Sequence, residues 1–311
     1  MPRRSPTEIN MPLDELDDDI RRQDTSHWTG SVAYLVLRLL RMKKVHPYSR
    51  QLAAYRAAQA HAALTRWFPV SLAYLLRRYG TDKEQENGHH YGATYEEWFR
   101  PLRYRPIRML EVGVGGYAAA FGGRSLLAWR AYFPRASIFA CDLQSKVQLS
   151  GWGVKVLQVD QSVAQDLTEL ASEYGPFDII IDDGSHVNAH QILTFDTLFE
   201  HLRDGGLYVV EDVQTSYWSH DGGGSAVGGK PPESSEFPST CMGYFLSLAK
   251  YINHAEFLPN AGEDLSLTAF AKRILRITFE HNLICVHKGD NDRRSTEVSR
   301  AAAASNLALS P

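Results

Sequence analysis

From residue 107 onward the chain alternates short apolar runs with segments of helical spacing, and no other feature limits its fold as strongly. The runs "IRMLEVGVG", "ASIFACDL", "VKVLQVD", "FDIIIDDG" and "GLYVVEDV" are nearly continuous in their apolar residues, as strands buried on both faces are. Strands of this kind separated by helical segments build a parallel sheet with helices on both faces. A last pair, "RILRITFEH" and "LICVHKG", separated by a tight "EHN" neighbourhood, predicts an antiparallel hairpin that closes the sheet. The expected class is α/β, a doubly wound, mostly parallel sheet of seven strands.

Flanking segments read differently. Residues 1–30 are polar and acid-rich and predict a flexible N-terminus, whereas 31–79 repeat apolar residues at helical spacing ("LVLRLLRM", "LAYLLRRYG") and predict a helical extension. The stretch 78–99, with Gly80, Gly88 and Gly92 among polar and aromatic groups, breaks that spacing and suits a loop over a site. The sheet-forming domain is expected over 80–290. Within it, 219–240 is too rich in Gly, Ser and Pro to be regular and reads as a flexible insertion or lid. The Ala/Ser-rich 291–311 reads as a disordered tail.

Charge and cysteine content narrow the function. With 36 acidic and 33 basic residues the formal charge is -3, which gives no field suited to nucleic acid or an anionic membrane. The run "VAYLVLRLL" is broken by Arg38 and falls short of the roughly 20 apolar residues of a spanning helix. Acidic "DELDDD" stands where an export signal needs an apolar segment. Cys141, Cys241 and Cys285 are scattered, as suits reduced thiols in a cytoplasm. Small-molecule chemistry is the expectation.

"LEVGVGGYAAAFGGRS" ends the first strand with Glu111, Gly113, Gly115 and Gly116. A tight strand-to-helix turn needs glycine for its dihedrals and for the close approach of a ligand. Gly113, Gly115 and Ala118 also satisfy the G-x-G-x-x-A dinucleotide fingerprint, so spacing alone leaves the nucleotide open. Glu111 two residues before Gly113 is typical of S-adenosylmethionine enzymes, where the acid meets the ligand's amino group. Asp142 at the end of the second strand is placed for ribose hydroxyls, and Asp160 and Gln161 after the third for an adenine edge. Tyr117, Ser125 and Asp183 complete the expected cofactor contacts. Capping of a helix or turn is the plain alternative for each strand-end acid.

Two further strands end in acid pairs, Asp182–Asp183 and Glu211–Asp212. In a doubly wound sheet the fourth and fifth strands are neighbours about 4.8 Å apart, and ligands bind outside their carboxyl ends. Both pairs are therefore expected to face one site. Clustered carboxylates repel unless a hard cation neutralises them, which points to Mg²⁺, with Mn²⁺ or Ca²⁺ as alternatives. Asp183, Glu211 and Asp212 are the expected ligands. His186, in the turn after Asp183, is the expected general base, since neutral imidazole takes a proton near neutral pH. A surface residue in a helix's first turn is the alternative.

Taken together, "GTDK" (80–83), "LEVGVGGY" (110–117), "FPRASIFACDL" (133–143), "GPFDIIIDDGSHVNAH" (175–190) and "GGLYVVEDVQTSYW" (205–218) resemble the metal-dependent sugar O-methyltransferases of macrolide biosynthesis over residues 78–290. The resemblance implies a Rossmann-like class I methyltransferase fold, S-adenosylmethionine, and Mg²⁺ on Asp183, Glu211 and Asp212. It also implies catalysis by His186 and methylation of a sugar hydroxyl on a glycosylated natural product. Antibiotic biosynthesis, a small glycoside as partner, a cytoplasmic location and a homo-oligomer fit the same picture. The alternatives are a nicotinamide-dependent oxidoreductase, which has no use for four strand-end acids, and a non-catalytic S-adenosylmethionine-binding protein.

Overall fold

The computed structural model describes residues 47–85, 88–116, 121–218, 239–256 and 271–291. The predicted flexible segment 1–30, positions 31–46 of the predicted helical extension, Tyr117, the insertion over 219–238 and the tail from 292 lie outside the described residues. The chain divides into two units, one comprising Met1–Pro101 and Gly115–Pro134, the other Leu102–Val114 and Arg135–Pro311.

The first unit holds helices α1 (Pro47–Thr65), α2 (Leu72–Tyr79), α3 (Gly92–Phe99) and α4 (Arg124–Tyr132). Ser71 caps α2 by accepting from Tyr74 N, and Gly80, at φ 68°, ends it in the left-handed conformation. The expected loop over 78–99 is corrected here, because 92–99 is helical. Its apolar face is carried by Gly92, Tyr95 and Phe99 rather than by aliphatic residues, so helical spacing is hard to see. A Cβ at Gly92 would strike Ala73 of α2 and the Glu84 carboxylate. Glycine lets the two helices meet. Tyr95, Phe99, Trp129, Tyr132 and Phe133 then pack ring against ring as this unit's core.

The second unit is the sheet. Its strands are β1 (Arg108–Val112), β2 (Ser137–Asp142), β3 (Val154–Gln158), β4 (Phe177–Asp182), β5 (Leu202–Glu211), β6 (Ile274–Glu280) and β7 (Leu283–Lys288), and α5 (Ala164–Tyr174), α6 (Asn188–Leu198) and α7 (Cys241–Ala249) accompany them. The order is β3-β2-β1-β4-β5-β7-β6. The first five strands run parallel, and β7 enters antiparallel between β5 and β6. This is the Rossmann-like, seven-stranded arrangement that the sequence predicts. Leu110, Val112, Ile180, Tyr208, Val210 and Val286 line one face and join Leu167, Phe195 and Phe245 of the helices in one apolar cluster. The opposite face, with Met109, Ile138, Ile179, Ile181, Val209 and Cys285, is buried too. Double burial explains why the strand sequences run apolar without a break. Among the described residues no helix is long and apolar enough to cross a membrane.

Candidate metal and cofactor site

β1, β4 and β5 lie side by side with their carboxyl ends in register, Val112 beside Asp182 and Asp182 beside Val210. The chain reverses direction in the sheet's order at β1, which is where ligands bind in such folds. Gly113, at φ 85°, leaves β1 so close to the next strand that a Cβ would collide with the Asp183 carbonyl. Asp183 N in turn donates to Val112 O at 2.9 Å. The glycine thus serves contact between the two turns as well as dihedral freedom.

Asp183, His186 and Asp212 come together. One ligand atom of each lies within 4.8 Å of the others, and all three residues are half-buried. His186 Nε2 is 3.5 Å from Asp212 Oδ2, whereas its Nδ1 is buried with no hydrogen-bond partner. His186 and Asp212 also have left-handed backbones, at φ 57° and 56°. That conformation costs a residue bearing a side chain on the order of 1 kcal/mol or more and persists where its surroundings enforce it. Here it swings both side chains toward Asp183. Ligands about 2.0–2.1 Å from an octahedral cation stand roughly 2.9 to 4.2 Å apart. The two carboxylates therefore fit Mg²⁺ after small side-chain rotations.

The other predicted site residues take varied positions. Both acid pairs were expected to face one site, and side-chain alternation divides them instead. Asp182 points with Ile180 into the apolar cluster, whereas Glu211, buried at the end of β5, lies outside the group formed by Asp183, His186 and Asp212. Glu111 is fully buried at the end of β1. Asp142 is oriented by three donors: Oδ2 accepts from Val114 N at 3.3 Å and Lys146 Nζ at 3.1 Å, and Oδ1 from Gln144 N at 2.9 Å. Lys146, four residues on, is the partner that sequence reading passes over. Asp160 accepts from Ser162 N and Oγ, which hold its carboxyl below the usual range. Gln161 bonds to Asp182 and Ser185. Gly115, exposed at φ 61°, and Ser125, near the start of α4, belong to the first unit.

Sequence reading also passes over the polar side chains of α6. Gln191 Nε2 donates to Glu211 O at 3.0 Å, and Asn188 Oδ1 accepts from Ser216 Oγ at 3.0 Å and Cys241 N at 2.7 Å. Gln191 thus holds the carbonyl that precedes Asp212, and Asn188 ties Ser216, in the turn after Asp212, to the start of α7. Asn188 and Gln191 are three residues apart on one helix face, the only signal available beforehand.

Asp182 is the electrostatic exception. Burial pushes its carboxyl up to about 8, against the opposing bonds from Gly184 N and Gln161. A folded-state value above the unfolded one of about 3.9 gives stability that is complete below pH 4 and is lost as pH rises toward 8. Asp182→Asn keeps the shape and the acceptor while removing the titration. Even a quarter of the displacement corresponds to about 1.4 kcal/mol, or roughly 3–5 °C. Melting curves in EDTA are expected to show the variant more stable by at least that much at pH 8.5, with the gap shrinking markedly at pH 4.5. Equal melting at both values would place the ionised carboxylate in a better-solvated environment than the fold indicates.

No protein-family model matches the chain. It is 40% identical over 205 residues to mycinamicin VI 2''-O-methyltransferase of Micromonospora griseorubida, covering 66% of this chain and 49% of that protein. Over 221 residues it is 39% identical to 8-demethyl-8-alpha-L-rhamnosyl tetracenomycin-C 2'-O-methyltransferase of Streptomyces olivaceus, covering 71% and 55%. The chain therefore spans about half the length of the curated relatives it matches. Among solved structures it is similar to MycE methyltransferase from the mycinamycin biosynthetic pathway in complex with Mg and SAH. That match has 33% identity and a TM-score of 0.66, over 84% of this chain and 68% of the other. For the complex that also holds mycinamycin VI, the values are 36% and 0.63, over 73% and 56%. On this likeness, which covers two thirds of a solved relative, the chain belongs to the class I methyltransferase family that includes MycE methyltransferase and mycinamicin VI 2''-O-methyltransferase.

Proposed function

We propose that this protein is a Mg²⁺- and S-adenosylmethionine-dependent O-methyltransferase acting on a sugar hydroxyl of a glycosylated natural product. The observation that carries the reading is the convergence of Asp183, His186 and Asp212 at the ends of two adjacent strands. Relatives named for methylation of macrolide and rhamnosyl-tetracenomycin substrates support it, as do relatives solved with Mg and SAH.

When bound, the cation supplies Lewis acidity that makes a hydroxyl easier to deprotonate, and S-adenosylmethionine supplies the methyl group on a sulfonium. Asp183 and Asp212 hold the cation, and Glu211 backs them from the end of β5. Gly113, Gly115 and Gly116 leave the backbone of the first turn open to the cofactor's close approach. Glu111, Tyr117, Ser125, Asp142, Asp160 and Asp183 are assigned to its contacts, with Asp142 directed at the ribose. His186 takes the hydroxyl proton at Nε2, the nitrogen that faces Asp212. The carboxylate 3.5 Å away then stabilises the imidazolium that forms. Residues 80–290 constitute the methyltransferase domain. A homo-oligomer in the cytoplasm is part of the reading, supported by the three free thiols and by exposed Leu64, Trp67 and Phe68 near the end of α1.

Methyl transfer from labelled S-adenosylmethionine to a panel of glycosylated macrolides and rhamnosylated polyketides tests the reading. Transfer should require a divalent cation and stop on adding EDTA. Binding of NAD without binding of S-adenosylmethionine would instead favour an oxidoreductase.

A further inference from the structure

We infer that Gln161 is a positioning residue for the metal-bearing turn after β4, and that its amide does not serve the adenine ring. The inference rests on the proposed function. Gln161 follows β3, on the far side of β2 and β1 from β4 in the sheet order, yet its side chain is spent on β4's turn. Nε2 donates to Asp182 Oδ1 at 2.6 Å, and Oε1 accepts from Ser185 N at 2.8 Å. Asp182 directly precedes Asp183, and Ser185 directly precedes His186. Gln161 is more than nine-tenths buried, as is Asp182. The amide's orientation is dictated by Ser185 N, a donor only, against which a flipped amide would set its own N–H donors.

A second observation points the same way. A Cβ at Gly184 would collide with the Gln161 amide, Oε1 first. Gly184 is therefore the residue that lets the amide reach between Asp182 and Ser185. The clip restrains the backbone at 182 and 185, the residues that bracket Asp183 and lead into the left-handed His186. It contributes the preorganisation that first-contact ligands draw from the groups behind them. Both useful hydrogen-bonding ends of the amide are engaged within the protein, which leaves an adenine edge little to bind.

The experiment measures Mn²⁺ binding by electron paramagnetic resonance, and S-adenosylhomocysteine binding by calorimetry, for the parent chain, Gln161→Ala and Gly184→Ala. Melting curves accompany each to verify folding. Loss of the clip is expected to weaken Mn²⁺ about 10–100-fold, to leave S-adenosylhomocysteine within about twofold, and to lower kcat more than it raises KM for the acceptor. Should Gln161→Ala not fold, Gln161→Met, which keeps the volume, takes its place. Unchanged Mn²⁺ affinity, or loss of S-adenosylhomocysteine equal to or exceeding that of Mn²⁺, overturns the inference. A parent chain that binds neither ligand overturns the proposed function instead, and the two failures are thereby distinguished.

Discussion

Asp183→Asn and Asp212→Asn are each expected to weaken Mg²⁺ by at least about a thousandfold, or roughly 4 kcal/mol, and to reduce methyl transfer in proportion at limiting metal. Each amide keeps the size of the side chain and removes one of two negative charges from the cluster that Asp183, His186 and Asp212 form. A hard cation depends on those charges, because neutral amide oxygens compete poorly with its hydration water. Removal of a charge also relieves repulsion in the metal-free state, so both variants should melt no lower than the parent in EDTA. Calorimetric Mg²⁺ titration with melting curves checks both parts. Near-parental affinity in both variants would remove the metal site from these strands.

The second large effect concerns His186. His186→Ala should lower kcat by about 10²–10⁴, the range of a positioned general base, and leave Mn²⁺ and S-adenosylhomocysteine affinity within about threefold. The cluster's spacing also admits His186 as a third metal ligand, and the metal titration decides between the roles. A ligand would take affinity with it, whereas a base would not. The backbone offers an independent check. His186 stands at φ 57°, where Ala is strained and Gly is free, so His186→Gly should be more stable than His186→Ala by on the order of 1 kcal/mol and equally inactive. Comparable stability of the two would mean that the turn relaxes once the imidazole is removed.

Much of the fold was legible because its strands declare themselves. Ile179, Ile180 and Ile181 are all fully buried, and only a strand covered on both faces tolerates such a run at that length. Helix α3 was not legible, since its buried side is Gly92, Tyr95 and Phe99, which read as punctuation and aromatic loop residues. The acid pairs were legible as a site, but not in detail. Alternation with a period of two sends one member of each pair away from the other. Which member reaches the metal depends on where the strand ends and on the left-handed turn at Asp212.

Sequence by itself determined the class of fold, the adjacency of β4 and β5, and the small set of acids and one histidine from which a metal site is drawn. Those follow from local burial patterns and from the few ways in which parallel strands connect. Tertiary structure decided that Asp182 lies in the core with a raised carboxyl, that Asp183, His186 and Asp212 meet, and that Gln161 braces their turn from beyond two intervening strands. Each of these depends on side-chain direction and on contacts between residues remote in the chain, and neither quantity is set until the sheet has closed.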